Sequence, residues 1–324
     1  MSQTSLKLIT AGALFLGYSA FALAYETETD IVEAKLEASE QYKVSNYRTS
    51  EKDGSTLYIK NTNFRVVDNI GFYIPDLVVR ATPNDSSQPL VFDDPTSFSL
   101  TPLKGSVVLD SGKLEALLNK QVFAFKGATL RNIKVKTATN VLTLSGQMIR
   151  KGLWVPFVLK GDIKLQDGHI LNYTPWQVIT DGADATPVLK AANVDIDELL
   201  TVDAPGAKLI GSTVVLDTLK LFPPPVLHLN IAKATMEDRG LVLTFDNAGA
   251  ETDSATLADS NSYILIKGGD VKFMKAVPTN AQVQVMSTST SEDLDFCLYD
   301  YRDQLSAGHL KLKEDGGILA YLKN

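Results

Sequence analysis

Residues 130–176 constrain this chain more than any other stretch, because their apolar–polar alternation writes out four β-strands together with their register. Residues 141–149 and 153–165 both alternate, and Lys151-Gly152 sits between them as a turn. A slip of one residue would send a whole apolar set to the wrong face, so register is tested by parity. A two-residue loop at Lys151-Gly152 places Met148 opposite Val155, Gly146 opposite Phe157 and Leu144 opposite Leu159, with the apolar residues on one face. The next turn, Gln166-Asp167-Gly168, is expected as a three-residue loop with Gly168 left-handed. That arrangement pairs Ile163 with Leu171 and Gly161 with Tyr173. Glycines inside strands weaken them unless bending or close approach compensates, so Gly146 and Gly161 predict a strongly curved sheet. A curved sheet with one continuous apolar face is a natural wrapper for something apolar.

Helices are few. Asp110 or Ser111 caps one that runs to about Lys120, with Leu114, Leu117 and Leu118 as its buried stripe. A second is expected over residues 186–200, with Val188, Leu189, Ala192, Ile196, Leu199 and Leu200 inward. Residues 30–42 read as a third, capped by Thr29 or Asp30. Further strands are expected around residues 56–59, 64–67, 77–80, 107–109, 214–221, 226–231 and 241–245. Leu221-Phe222-Pro223-Pro224-Pro225 cannot be a central strand, since proline donates nothing to a ladder; it is expected as a crossover or an edge. Residues 83–95 read as a loop and 248–261 as a polar linker or exposed loop. Strands resume at 263–266, 271–274, 282–286, 310–312 and 318–322.

The expected class is β-dominated α+β: a strongly curved antiparallel sheet of long hairpins wrapped around two or three helices, with an additional C-terminal β segment. The expected division is a leader over 1–24, a curved-sheet and helix domain over 25–247, and a β segment over 248–324 that either stands apart or packs onto the same sheet.

Residues 1–24 read as a secretory signal: Lys7, an apolar run over 8–21, and Ala22-Leu23-Ala24 as the small-x-small cleavage site. Acidic Glu26, Glu28 and Asp30 follow, no second apolar span appears, and the mature chain is expected in the periplasm or outside the cell. A single cysteine, Cys297, leaves no intramolecular disulfide, and its apolar neighbours predict a buried, inert thiol. The net charge of −7 argues against nucleic acid and against electrostatic docking on anionic lipid.

No constellation carries chemistry. His169, His228 and His309 are scattered without ligand spacing, so neither a metal nor an organic cofactor is expected. There is no nucleophile elbow, phosphate-cradling glycine loop or dinucleotide fingerprint. Asp195 and Asp197 face different ways on a helix, and Glu292-Asp293 with Asp295 lacks the glycine loop of an EF-hand. In Leu153-Trp154-Val155-Pro156-Phe157 both faces are apolar, which suits either a strand covered on both sides or the rim of an acyl-chain site.

Leu114-Glu115-Ala116-Leu117-Leu118-Asn119, Leu142-Thr143-Leu144-Ser145-Gly146, Val155-Pro156-Phe157 with Gly161, and the triple proline are similar to the LmeA-type phospholipid-binding proteins of bacterial envelopes, relatives of the tubular lipid-binding (BPI-like) superfamily. The resemblance covers about residues 105–245 and implies an elongated curved sheet holding lipid chains in its lining. The extra C-terminal strands and the triple proline depart from that pattern. The expected function is binding or shuttling of a lipid or similar apolar molecule, with a closed-core structural module of the envelope as the alternative and an enzyme third. The candidate lining is Leu114, Leu117, Leu118, Leu144, Met148, Val155, Phe157, Leu159 and Ile163. Oligomeric state is left open.

Overall fold

The computed structural model describes residues 54–198, 202–247 and 255–324; the leader and the helix expected over 30–42 lie outside them. The chain is β-dominated, with a strongly curled antiparallel half-barrel sheet and few helices.

The larger sheet is begun by a long hairpin, β1 (Ser55–Val67) and β2 (Ile70–Pro83), in which alternate residues of β1 are buried. β1 runs through both stretches expected as separate strands, because Asn61 takes a left-handed conformation without breaking the pairing to β2. β4 (Phe98–Leu109) pairs with β2, and β15 (Gly240–Asp246) with β4; β14 (Lys233–Glu237) follows on β15. The other edge of β1 is shared. β16 (Tyr263–Lys267) takes residues 56–60 antiparallel, and β19 (Leu294–Cys297) takes residues 62–65 parallel. β18 (Gln282–Ser287), β21 (Ile318–Leu322) and β20 (His309–Leu312) extend that side. The C-terminal strands therefore complete the sheet that the first strands begin.

The smaller sheet lies between β4 and β13 (Val226–Leu227) in the chain. It comprises β5 (Leu130–Ala138), β6 (Val141–Arg150), β7 (Leu153–Gln166), β8 (Ile170–Thr180), β9 (Ala183–Asp184), β10 (Asp203–Ala204), β11 (Ala207–Ile210) and β12 (Thr213–Asp217), all antiparallel. The β6–β7 register follows the alternation: Met148 with Val155, Gly146 with Phe157, Leu144 with Leu159. Lys151 and Gly152 both have positive φ, as a two-residue hairpin loop requires. The next hairpin differs from expectation. Asp167 and Gly168 are both left-handed and His169 N–H donates to the Gln166 carbonyl, so the loop moves one residue on. Ile163 consequently pairs with Tyr173, Leu165 with Leu171 and Gly161 with Pro175. Parity survives the shift, so the same apolar face is kept.

Curvature comes from two bulges. One interrupts β5 between Arg131 and Lys134, with Asn132 left-handed; the other interrupts β7–β8 at Lys160 and Gly161. A Cβ on Gly161 would run into the Thr174 carbonyl, so the second bulge needs its glycine.

α1 (Ser111–Leu117) is capped by the Asp110 carboxylate, which accepts from Lys113 N–H at 2.9 Å, and a π-turn (Leu118–Val122) continues it. α2 (Thr186–Ala192) is shorter than expected: Asn193 turns left-handed and ends it. None of its residues is buried, and Val188 is 68% exposed, which corrects the inward stripe. Ile196 is buried, but in a separate 3₁₀ turn, and Leu199 and Leu200 lie outside the described residues. α3 (Tyr301–Ser306) was not foreseen.

The triple proline carries the chain from β12 in the small sheet to β13, which pairs parallel with β4 in the large one. Pro224 accepts the Tyr299 hydroxyl at 2.9 Å, and Phe222 packs on Phe72 with ring centres 4.9 Å apart. Residues 83–95 are not wholly loop: β3 (Leu90–Val91) pairs with β17 (Val271–Lys272). Of the expected linker over 248–261, Leu257 and Ala258 are tethered by the buried Gln284, whose Oε1 accepts both backbone N–H groups.

Candidate functional site

The concave face of the small sheet encloses a cavity of about 60 Å³ whose walls are apolar throughout. β6, β7 and β8 contribute Leu142, Leu144, Phe157, Leu159, Ile163, Leu171 and Tyr173, because parity sends these residues to one face. α1 and its π-turn cover them with Leu114 and Leu118, and Phe123 follows. Of the nine expected lining residues, six therefore meet at one cavity: Leu114, Leu118, Leu144, Phe157, Leu159 and Ile163. Leu117 and Met148 are buried and Val155 half-buried outside it. The β5 bulge sets Ile133 and Val135 over the floor instead.

The expected lining left out Phe123, Leu142, Leu171 and Tyr173, and with them three further contributions. Leu130, Ile133 and Val135 alternate, but the left-handed Asn132 breaks the pattern. Val214 and Leu216 arrive because β12 pairs with β8, and Leu241 comes from β15 of the other sheet.

Tyr173 is the only cavity residue with a polar side-chain atom. Its hydroxyl donates to the Leu142 carbonyl at 3.3 Å, and burial, with Asp162 adding repulsion, raises its pKa. The hydroxyl stays neutral and is spent on the backbone. Leu144, Ile163, Val214 and Leu216 are only half-buried, so the apolar face is incompletely covered.

Beside the cavity is a second cleft of about 300 Å³, lined by polar and apolar side chains together. Val178 lines this cleft, and its cross-strand partner Leu159 lines the cavity, so the two lie side by side along β7–β8. The bulge at Gly161 brings Pro175 and Trp176 to the cleft wall, where Trp176 is 49% exposed. Opposite stand Thr186, Leu189, Lys190 and Asn193 of α2 and its end. Asp195 completes the cleft, accepting the Ser212 hydroxyl at 2.7 Å. This set offers donors, acceptors and one charge of each sign at the rim of an apolar cavity.

Residues 153–157 are not covered on both sides as expected. Leu153 is 70% exposed and Pro156 is exposed, while the Arg131 guanidinium sits 3.9 Å over the Trp154 ring. The large sheet has its own apolar voids of about 40 Å³ around Leu57 and Phe64, packed as ordinary core. Cys297 is buried, and its thiol is pushed up to about 11, chiefly by burial and then by Asp300. Among the described residues no group of His, Cys, Asp and Glu is arranged to hold a metal ion, and no helix is long and apolar enough to cross a membrane.

No family model, curated protein or solved structure matches this chain.

Proposed function

We propose that this protein is an exported binder or shuttle of an amphiphilic lipid, with the apolar part against the concave face of the small sheet and the polar part in the cleft beside Trp176. One observation carries the reading: an all-apolar cavity and a mixed cleft that holds Lys190 and Asp195 share the β7–β8 ladder. Each buried methylene contributes about 0.8 kcal/mol, so aliphatic walls are enough and no catalytic group is needed. The likeness of the β-strand block to envelope phospholipid-binding proteins points the same way. A cavity of about 60 Å³ is smaller than an acyl chain, so uptake requires the cover of Leu114, Leu118 and Phe123 to move outward.

That same small volume favours a second reading, a structural module of the envelope whose core is closed by α1. Native mass spectrometry of protein purified from its own host separates the two. Extra mass matching a lipid supports the carrier, and bare protein after gentle extraction supports the closed module. N-terminal sequencing of the mature chain tests export, with Tyr25 as the expected first residue.

A further inference from the structure

The net charge of −7 hides a strong asymmetry. Residues 116–161 hold eight Lys and Arg and no Asp or Glu, so the acid excess lies entirely outside them. In the fold this run is the π-turn, the loop over 123–129, and β5, β6 and most of β7. Two of its cations are neutralised from outside, Lys120 by Asp68 and Lys134 by Glu115. Lys126, Arg150 and Lys151 are exposed and make no ion pair among the described residues.

Those three adjoin exposed apolar residues: Lys126 follows Phe125, and Arg150 and Lys151 lie between Ile149 and Leu153. The 123–129 loop lies against the end of β6, where Ile149 N–H donates to the Thr129 carbonyl at 2.9 Å. Leu153 is 70% exposed, Phe125 and Ile149 are each 37% exposed, and Trp154 is half-buried beside them. Large apolar side chains grouped at one end of a molecule mark a contact surface. Cations interleaved with exposed aromatic and aliphatic side chains match a bilayer, whose anionic surface attracts Lys and Arg while its interface accepts Trp, Phe and Leu.

We propose that the β6–β7 hairpin tip and the 123–129 loop form a docking surface for an anionic lipid bilayer. Nucleic acid would satisfy the cations but offers nothing to Leu153 and Ile149. The loop also begins and ends on cavity residues: Phe123 and Leu130 line the cavity while Phe125, between them, is exposed. Docking would thus place a membrane beside the cavity cover. The docking surface stands whether or not the cavity takes a lipid.

The test is co-sedimentation of the full chain with vesicles of phosphatidylglycerol and phosphatidylcholine, against phosphatidylcholine alone. Binding to the anionic vesicles that weakens with salt is expected, with a blue shift of Trp154 fluorescence that is lost in Trp154→Phe. Each cation near the surface accounts for about a fivefold change, so Lys126→Gln, Arg150→Gln and Lys151→Gln together should weaken binding about a hundredfold. Leu153→Ser with Phe125→Ser should reduce the binding that survives high salt. All five positions are exposed, and circular dichroism confirms that the variants fold. No sedimentation at low salt, or a triple variant that sediments like the wild type, overturns the inference. So does a single-stranded oligonucleotide that binds more tightly than the vesicles.

Discussion

Gly146 lies directly opposite Phe157, and a Cβ added to it would come within 2.9 Å of the Arg131 carbonyl and 3.1 Å of that of Asn132. The close approach is made by the bulged backbone of β5, not by the Phe157 ring as the hairpin alone suggests. Gly146→Val should therefore destabilise by about 1–3 kcal/mol through overpacking, and trimming Phe157 to Leu should not rescue it. Urea unfolding of the single and double variants decides: rescue would place the ring, not the bulge, over the glycine.

Leu144 and Leu159 form a cross-strand pair on the cavity wall, Leu144 half-buried and Leu159 buried. Leu144→Trp can project from the incompletely covered face, fill the cavity and block uptake of a fluorescent phospholipid while the fold persists. Leu159→Trp should destabilise by about 1–3 kcal/mol in a closed core. A folded Leu144→Trp variant that takes up phospholipid as well as the wild type removes this face from the carrier reading.

Asp93 is the hub that ties the residues before β4 to the C-terminal strands. Its buried carboxylate accepts from Lys272 Nζ at 3.0 Å and from the Tyr301 hydroxyl at 2.7 Å, with Arg302 at 3.5 Å. Asp93→Ala removes the buried carboxylate that Lys272 and Tyr301 share and should cost about 3–5 kcal/mol. Adding Lys272→Met should recover part of the loss, measurable in a double-mutant cycle by chemical denaturation.

Alkali should weaken the fold. Burial raises the Cys297 thiol from 9.0 to about 11 and also raises the hydroxyls of Tyr173, Tyr299 and Tyr301. A raised folded-state pKa means the native protein holds protons that the unfolded chain releases. The stabilisation is complete below pH 9 and lost as pH rises toward 11, amounting to about 2–3 kcal/mol for the thiol. Cys297→Ala should flatten the pH 9–11 part of a stability profile. Iodoacetamide should leave native Cys297 unmodified at neutral pH and alkylate it in denaturant.

Local chemistry made much of this protein legible from its residues. Alternation and the Lys151-Gly152 turn specify the β6–β7 register, since both act between neighbours in the chain. Asp110 announces α1 because its carboxylate caps the first turn. Even the cationic hairpin tip is written in the run without acid over 116–161, which whole-chain charge averages away.

The rest was settled by tertiary contacts. The single residue Asn193 ended α2 early, and the paired left-handed Asp167 and Gly168 moved a loop by one position. The bulges at Asn132 and Gly161 aimed Ile133 and Trp176 toward the site. Val214, Leu216 and Leu241 reach the cavity only because β12 pairs with β8 and β15 packs across from the other sheet. Periodicity states which face of a strand is apolar. Which distant strand meets that face depends on the free energy of the whole assembled core, and no short stretch of residues contains it.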